Sequence, residues 1–349
     1  MASSEPVIAL DAVGGDHAPQ EIVRGAVLAA RELGIRVALV GPPALIEAEL
    51  AQSAPRPEGI TLVPASEVIA MDEQPAQAAR HKKDSSIVVG LRLVKQGEAA
   101  AFVSAGNTGA VLAASIMYLG RVRGIERPSL VALLPLSGRL SVLLDIGANA
   151  DCKPKYLLQF AEMGSVYMER VWKVERPRVA LLSIGEEETK GNQLAREAYA
   201  LLKEARHLNF IGNVEGRDIP AGVADVIVTD GFTGNVVVKT MEGIANFIRG
   251  QIEGAIKGNP VYWLPGLALR GAFRGLQKRT DYREYGAGPL LGVNGLVFVA
   301  HGRSDALAIK SSLRVAREAA LSGMLEALRP AVGGEQADAR EPAPKAGGA

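Results

Sequence analysis

Two five-residue stretches, Ala105-Gly106-Asn107-Thr108-Gly109 and Asp230-Gly231-Phe232-Thr233-Gly234, repeat the pattern x-G-x-T-G at a separation of 125 residues. Each follows a β-rich apolar run (100–104 and 226–229) and leads into a helix-periodic stretch (111–118 and 236–248). A glycine turn that opens a helix aims unpaired backbone N–H groups and the positive end of the helix dipole at one point, which favours a bound anion. The expected chemistry is therefore that of phosphate, with ordinary strand-to-helix connection as the bland alternative. Asn107, Thr108, Thr233 and Asn235 add side-chain donors, and Lys190 lies in another polar turn, Gly185-Glu-Glu-Glu-Thr-Lys190, where the plain alternative is a solvated charged loop. Asp11, Asp16, Asp145 and Asp230 each sit at the end of a strand candidate, more carboxylates than turn-making requires, although any single one suffices as a helix cap.

The elements that must carry these residues alternate. Strand candidates at 7–10, 37–40, 142–144, 179–183 and 210–211 each end in a glycine-rich or polar turn. Helical periodicity appears at 19–33, with Ile22, Val23, Ala26, Val27, Ala30 and Leu33 on one face and Pro19 at a position suited to the first helical residue. Such alternation predicts an α/β fold with a mostly parallel sheet covered by helices on both faces, its polar turns gathered along one edge. Residues 99–120 carry no charge, yet the Ser104-to-Gly109 turn at their centre favours a buried strand, turn and helix over a membrane span. A segment both apolar and basic, 261–283, breaks the rhythm, and 332–349, rich in Gly, Ala, Pro and charge, is expected to be a disordered tail. The expected organisation is one α/β catalytic domain over 1–331 with a helical insertion near 247–283.

Thirty-nine basic against 38 acidic residues argue against a nucleic-acid protein, and 48% hydrophobic residues suffice for a large core. One cysteine, Cys152, excludes an internal disulfide and fits a reducing cytoplasm; no neighbouring group activates it, so an inert thiol is expected. The strand at 7–10 begins without a basic region or an apolar leader before it, so a secretion signal is not expected. Four scattered histidines make a transition-metal site unexpected, and neither a P-loop nor a G-x-G-x-x-G fingerprint is present. Gly286-Ala-Gly288 has the wrong spacing for the latter. The run Arg80-His-Lys-Lys-Asp-Ser-Ser86 is either a solvated face or a contact for phosphate or an acidic partner.

The stretches Ile8-Ala-Leu-Asp-Ala-Val-Gly-Gly-Asp-His-Ala-Pro19, Ser104-Ala-Gly-Asn-Thr-Gly109, Ile184-Gly-Glu-Glu-Glu-Thr-Lys-Gly-Asn192, Asp230-Gly-Phe-Thr-Gly-Asn235 and His301-Gly-Arg-Ser-Asp-Ala306 resemble, in order, the bacterial phosphate acyltransferase (PlsX) family of acyl-ACP:phosphate transacylases. The resemblance runs from about residue 6 to 328 and departs from the family pattern at Val13, Ala287 and Arg303. It implies a fold similar to isocitrate and isopropylmalate dehydrogenases and to phosphotransacetylase, a homodimer, and no cofactor. It also implies transfer of a fatty acyl group from acyl carrier protein to inorganic phosphate, giving acyl-phosphate for phospholipid synthesis by a membrane glycerol-3-phosphate acyltransferase.

That chemistry suits the residues. Phosphate is largely dianionic near neutral pH and needs no strong base, and a thiolate with a pKa of roughly 8.5 leaves without much help. An anion cradle and alignment are what remain to be supplied. On this reading Gly106, Asn107, Thr108, Gly231, Thr233, Gly234 and Asn235 cradle phosphate or acyl-phosphate, Lys190 stabilises the oxyanion, and Asp230, His17 and Asp16 orient them. The two turns would form two walls of one site, the Asn107 turn holding and the Asp230 turn orienting. Trp263, Leu267, Arg270, Arg274, Lys278 and Arg279 would meet the acidic carrier protein or the inner face of the membrane, giving a peripherally associated cytoplasmic enzyme; a dimer-interface hairpin is the alternative. Competing functions are an NAD-dependent dehydrogenase of the isopropylmalate type, a short-chain phosphotransacetylase using acyl-CoA, and a non-catalytic membrane scaffold.

Overall fold

Short runs of aliphatic, often β-branched residues buried on both faces build the centre of the molecule. In the computed structural model, which describes residues 5–136, 139–262 and 282–331, these runs are β1 (Val7–Asp11), β2 (Arg36–Gly41), β3 (Ile60–Pro64), β4 (Ala101–Ser104), β5 (Ser129–Leu136), β6 (Arg139–Leu144), β7 (Arg178–Leu182), β8 (Asn209–Val214), β9 (Val226–Val228), β10 (Ala287–Leu291) and β11 (Leu296–Ala300). Near-continuous apolar strands of this kind require helices on both faces. Amphipathic helices supply the cover. In α1 (Gln20–Leu33), Ile22, Val23, Ala26, Val27 and Ala30 are buried, and the helix stops at Gly34 in the left-handed conformation. Pro19 stands just before α1 as its capping residue rather than in the first turn.

The strands form one sheet in the order β3-β2-β1-β4-β11-β10-β5-β6-β9-β7-β8. The α/β fold with a mostly parallel sheet is as expected, but the polar turns do not all leave along one edge. β1 to β4 and β11 run parallel to one another. Antiparallel pairings of β10 with β11, β5 with β10 and β6 with β5 then reverse the chain, and β9, β7 and β8 continue parallel to β6. Connection length accounts for two of these three reversals: two residues join β5 to β6 and four join β10 to β11, whereas a parallel crossover needs a dozen or more; the third pairs β10 with β5, which are distant in sequence. The strand ends at 11, 104 and 300 therefore face one edge, and those at 144, 182 and 228 the opposite edge.

Two helices start from these edges and run back over the sheet: α5 (Thr108–Tyr118) after β4, and α8 (Gly231–Gly258) after β9. Ile146, just past β6, packs both against the cluster that includes Ala110, Val111 and Ala114 of α5 and against the one flanked by Val237, Val238 and Met241 of α8. A further helix, α9 (Ala306–Leu321), follows β11. The expected contact residues Trp263, Leu267, Arg270, Arg274, Lys278 and Arg279, and the tail 332–349, lie outside the described residues.

Candidate active site

The first edge is organised by a buried carboxyl. Asp11 accepts a hydrogen bond from Ser104 Oγ (2.7 Å) and one from the Val13 N–H (3.2 Å), and Ser104 Oγ in turn accepts from the Gly106 N–H (3.0 Å). Burial pushes the Asp11 carboxyl above its ordinary range, against the opposing hydroxyls of Ser86 and Ser104. A β-carbon at Gly14 would stand 2.3 Å from Asp11 Oδ2 and 2.8 Å from the Gly106 nitrogen, so the two turns touch in a way only glycine permits. The Asp16 N–H donates to Gly302 O (2.7 Å), which attaches the turn after β11. Asp16 and His17 themselves are exposed at this edge.

Asn107 is buried and its side chain is fully used: Oδ1 caps α5 by accepting from the Ala110 N–H (3.0 Å), and Nδ2 donates to the carbonyls of Ala70, Met71 and Glu73 (3.1, 3.2 and 3.1 Å). It anchors the turn, and its side-chain amide is not an open donor. Thr108 is exposed, and the N–H groups of Thr108 and Gly109 are the first two of α5, where a helix offers no internal acceptor.

The second edge is more tightly closed. Asp145, completely buried, accepts from the N–H groups of Leu130, Gly147, Ala148 and Asn149 and from Asn149 Nδ2. Its burial raises the carboxyl, and those donors pull it back. The Gly231 N–H is taken by Asn149 O (2.8 Å), and both Asp230 carboxylate oxygens are taken by Thr233, one by its N–H and one by its hydroxyl (2.8 Å each). A β-carbon at Gly231 would lie 2.4 Å from Asn149 O, and one at Gly234 would lie 1.9 Å from Asp145 O. Close packing thus demands these glycines, and Asn235 Nδ2 donates to Ile146 O (3.0 Å) in the same seam. Burial first, then the nearby Asp145 charge, pushes the Cys152 thiol up to about 12, in keeping with an inert thiol.

Lys190 is exposed in the loop after β7, with its ammonium unpartnered among the described residues; its N–H donates to Glu187 O (3.0 Å). β7 is six strand spacings from β4 in the sheet order, roughly 29 Å along the sheet, and its end faces the other edge. The chain therefore does not bring Lys190 beside the Asn107 turn, nor the two x-G-x-T-G turns together as walls of one edge.

What does reach the first edge from the second half is α8. Lys239 Nζ lies 3.2 Å from His301 Nε2 and 3.1 Å from Glu242 Oε2, and Glu242 is also 3.5 Å from the Arg303 guanidinium. The Arg303 N–H donates to His301 Nδ1 (3.3 Å). Burial, then the Lys239 charge, holds the His301 imidazole below its ordinary range, with Glu242 opposing, so the neutral ring is favoured. Sequence reasoning misses Lys239 and Glu242. Their signal is spacing, four and seven residues after Asn235 on one helical face.

A family model described as "Fatty acid synthesis protein" matches residues 7–327. The chain is 54% identical over 329 residues to a protein of Heliobacterium modesticaldum named "Phosphate acyltransferase", covering 94% of this chain and 98% of that one. Among solved structures, a phosphotransacetylase from Streptococcus pyogenes is similar with a TM-score of 0.63 at 17% identity, covering 91% of this chain and 95% of the other. A 4-hydroxythreonine-4-phosphate dehydrogenase from Klebsiella pneumoniae follows at a TM-score of 0.55 and 13% identity, over 92% and 99%. At such identities the structural likeness speaks for the fold alone.

Proposed function

The chain belongs to the fatty acid synthesis protein family, and from that membership and the first-edge geometry we propose that it transfers a fatty acyl group to inorganic phosphate, making acyl-phosphate for phospholipid synthesis. The observation that carries this reading is the α5 N-terminus, where the Gly106-Asn107-Thr108-Gly109 turn is locked in place by Asp11, Ser104 and the loop at 70–73 while Thr108 is exposed and the N–H groups of Thr108 and Gly109 have no acceptor within the helix. That is a preorganised cradle for a phosphate dianion. A phosphate oxygen attacks the thioester carbonyl, the carbon–sulfur bond breaks, and the thiolate takes a proton from solvent. Asp16 and His17, exposed beside the cradle, orient the phosphate.

The acyl donor is proposed to be acyl carrier protein, whose phosphopantetheine arm carries the thioester to the cradle. Lys190, with no ion-pair partner among the described residues, then meets the acidic carrier protein rather than the oxyanion. Phe232, Val236, Ile244, Phe247, Ile248 and Ile252 leave an exposed apolar stripe along α8, which supports a homodimer. No helix of the described residues is long and apolar enough to cross a membrane; the apolar and basic segment at 261–283 supports peripheral contact with the cytoplasmic membrane face and delivery to a membrane glycerol-3-phosphate acyltransferase.

The test is incubation with acyl-ACP and labelled phosphate. Labelled acyl-phosphate is expected, and its absence refutes the function; product from short-chain acyl-CoA but not from acyl-ACP transfers the assignment to a phosphotransacetylase.

A further inference from the structure

Lys239 is not part of either glycine turn, yet it is the charged group of α8 that arrives at the first edge. Phe232, Val236 and Ile244 on the same helix are exposed. Lys239 instead sits between an imidazole at 3.2 Å and a carboxylate at 3.1 Å, while about half of its side chain stays open to solvent. As a stabilising device this is poor, because a half-exposed ion pair gains little against water and immobilises a long side chain.

As an anion-binding device it is well made. Glu242 is shared between Lys239 and Arg303, so it does not serve Lys239 alone. His301, favoured as the neutral ring, adds no charge beside Lys239. Asp16, on the far side of Gly302, is the opposing charge of the group. The cluster also touches the cradle through backbone: a β-carbon at Gly15 would be 3.0 Å from Gly302 O and 3.2 Å from the Ala105 side chain, so the turns carrying His301 and Gly106 press on the same glycine.

We propose that Lys239 is the cation that binds the attacking phosphate at the α5 N-terminus, with Glu242 and His301 as positioning residues that hold its ammonium toward the cradle. This rests on the acyl-phosphate reading above and adds the residue through which that site recognises its nucleophile. The ammonium satisfies two phosphate oxygens' charge while the helix start supplies N–H donors to the rest, a division that neither element achieves alone.

The test compares wild type with Lys239→Gln and Lys239→Arg. With acyl-ACP saturating and phosphate varied, Lys239→Gln is expected to raise KM for phosphate at least tenfold, with KM for acyl-ACP within twofold of wild type. Lys239→Arg, keeping the charge, is expected to recover most of that loss. A KM for phosphate within twofold of wild type in Lys239→Gln, or equal rises in both KM values, overturns the proposal. Thermal unfolding of each protein with and without inorganic phosphate, no acyl donor present, gives a second reading: wild type should be stabilised by phosphate and Lys239→Gln should not. If wild type makes no acyl-phosphate, the proposed function fails, and this phosphate-dependent shift alone still decides whether Lys239 binds phosphate. Equal circular dichroism spectra show that the variants fold.

Discussion

Replacing Gly234 with alanine sets two effects of opposite sign against each other. Helix propensity alone favours alanine in the first turns of α8 by about 1 kcal/mol. The new β-carbon, however, would stand 1.9 Å from Asp145 O, when carbon-type contacts settle near 3.5 Å, so something must move by roughly 1.5 Å. Asp145 cannot yield, since its carboxylate is fixed by four backbone N–H groups and an asparagine amide. The start of α8 has to lift instead. That strains the Gly231 N–H bond to Asn149 O and the Asn235 bond to Ile146 O, about 1 kcal/mol each, on top of about 1–3 kcal/mol for overpacking. The net expectation is a loss of about 2–4 kcal/mol. Gly216, where a β-carbon would meet no atom within 4 Å, is the control: Gly216→Ala should gain about 0.4–1 kcal/mol by restricting the unfolded chain. Urea unfolding followed by circular dichroism measures both. A Gly234→Ala protein as stable as wild type would refute the claim that packing against the Asp145 turn, rather than ligand approach, is what requires glycine there.

Lys190→Ala should raise KM for acyl-ACP at least fivefold and leave KM for phosphate unchanged, the mirror image of Lys239→Gln; the reverse pattern in steady-state kinetics would return Lys190 to the phosphate. Arg178 grips Asp225 with its Nε, its terminal nitrogen and its backbone N–H (3.0, 2.9 and 2.8 Å), and although burial opposes it, this holds the carboxyl below its ordinary range. A lowered carboxyl stabilises above its unfolded-state pKa and loses that contribution as pH falls through the folded one. Asp225→Asn should therefore cost about 2 kcal/mol at neutral pH, with the gap to wild type closing in acid unfolding curves. His301 has the opposite direction for its type: because its folded pKa is depressed, the unfolded chain takes up the proton first, and stability should fall as pH drops below the ordinary histidine range, an effect absent from His301→Gln in pH-dependent melts. Trp263→Glu and Leu267→Glu should lower the fraction that co-sediments with anionic liposomes; an unchanged fraction removes the membrane contact.

Local rules made much of the protein legible. The helical periodicity within 19–33 and 111–118 and the strands at 7–11, 36–41, 142–144 and 178–182 follow from side-chain pattern and turn chemistry within a few residues, so they can be read one segment at a time. The motifs quoted in order along the chain likewise sufficed to place it in its family. What the segments could not reveal was direction. The strands at 129–136, 287–291 and 296–300 went unread, and with them the three antiparallel pairings that invert half the sheet. Parallel and antiparallel strands have the same side-chain alternation, so only the pairing itself decides which edge a turn occupies. Tertiary structure therefore separated Lys190 from the Asn107 turn, spent the Asn107 amide on three distant carbonyls, and assigned Gly231 and Gly234 to packing. It also brought Lys239 to His301 across 62 residues of sequence. Such a pairing depends on where a 28-residue helix ends up after the sheet has reversed, and no local pattern of residues encodes that.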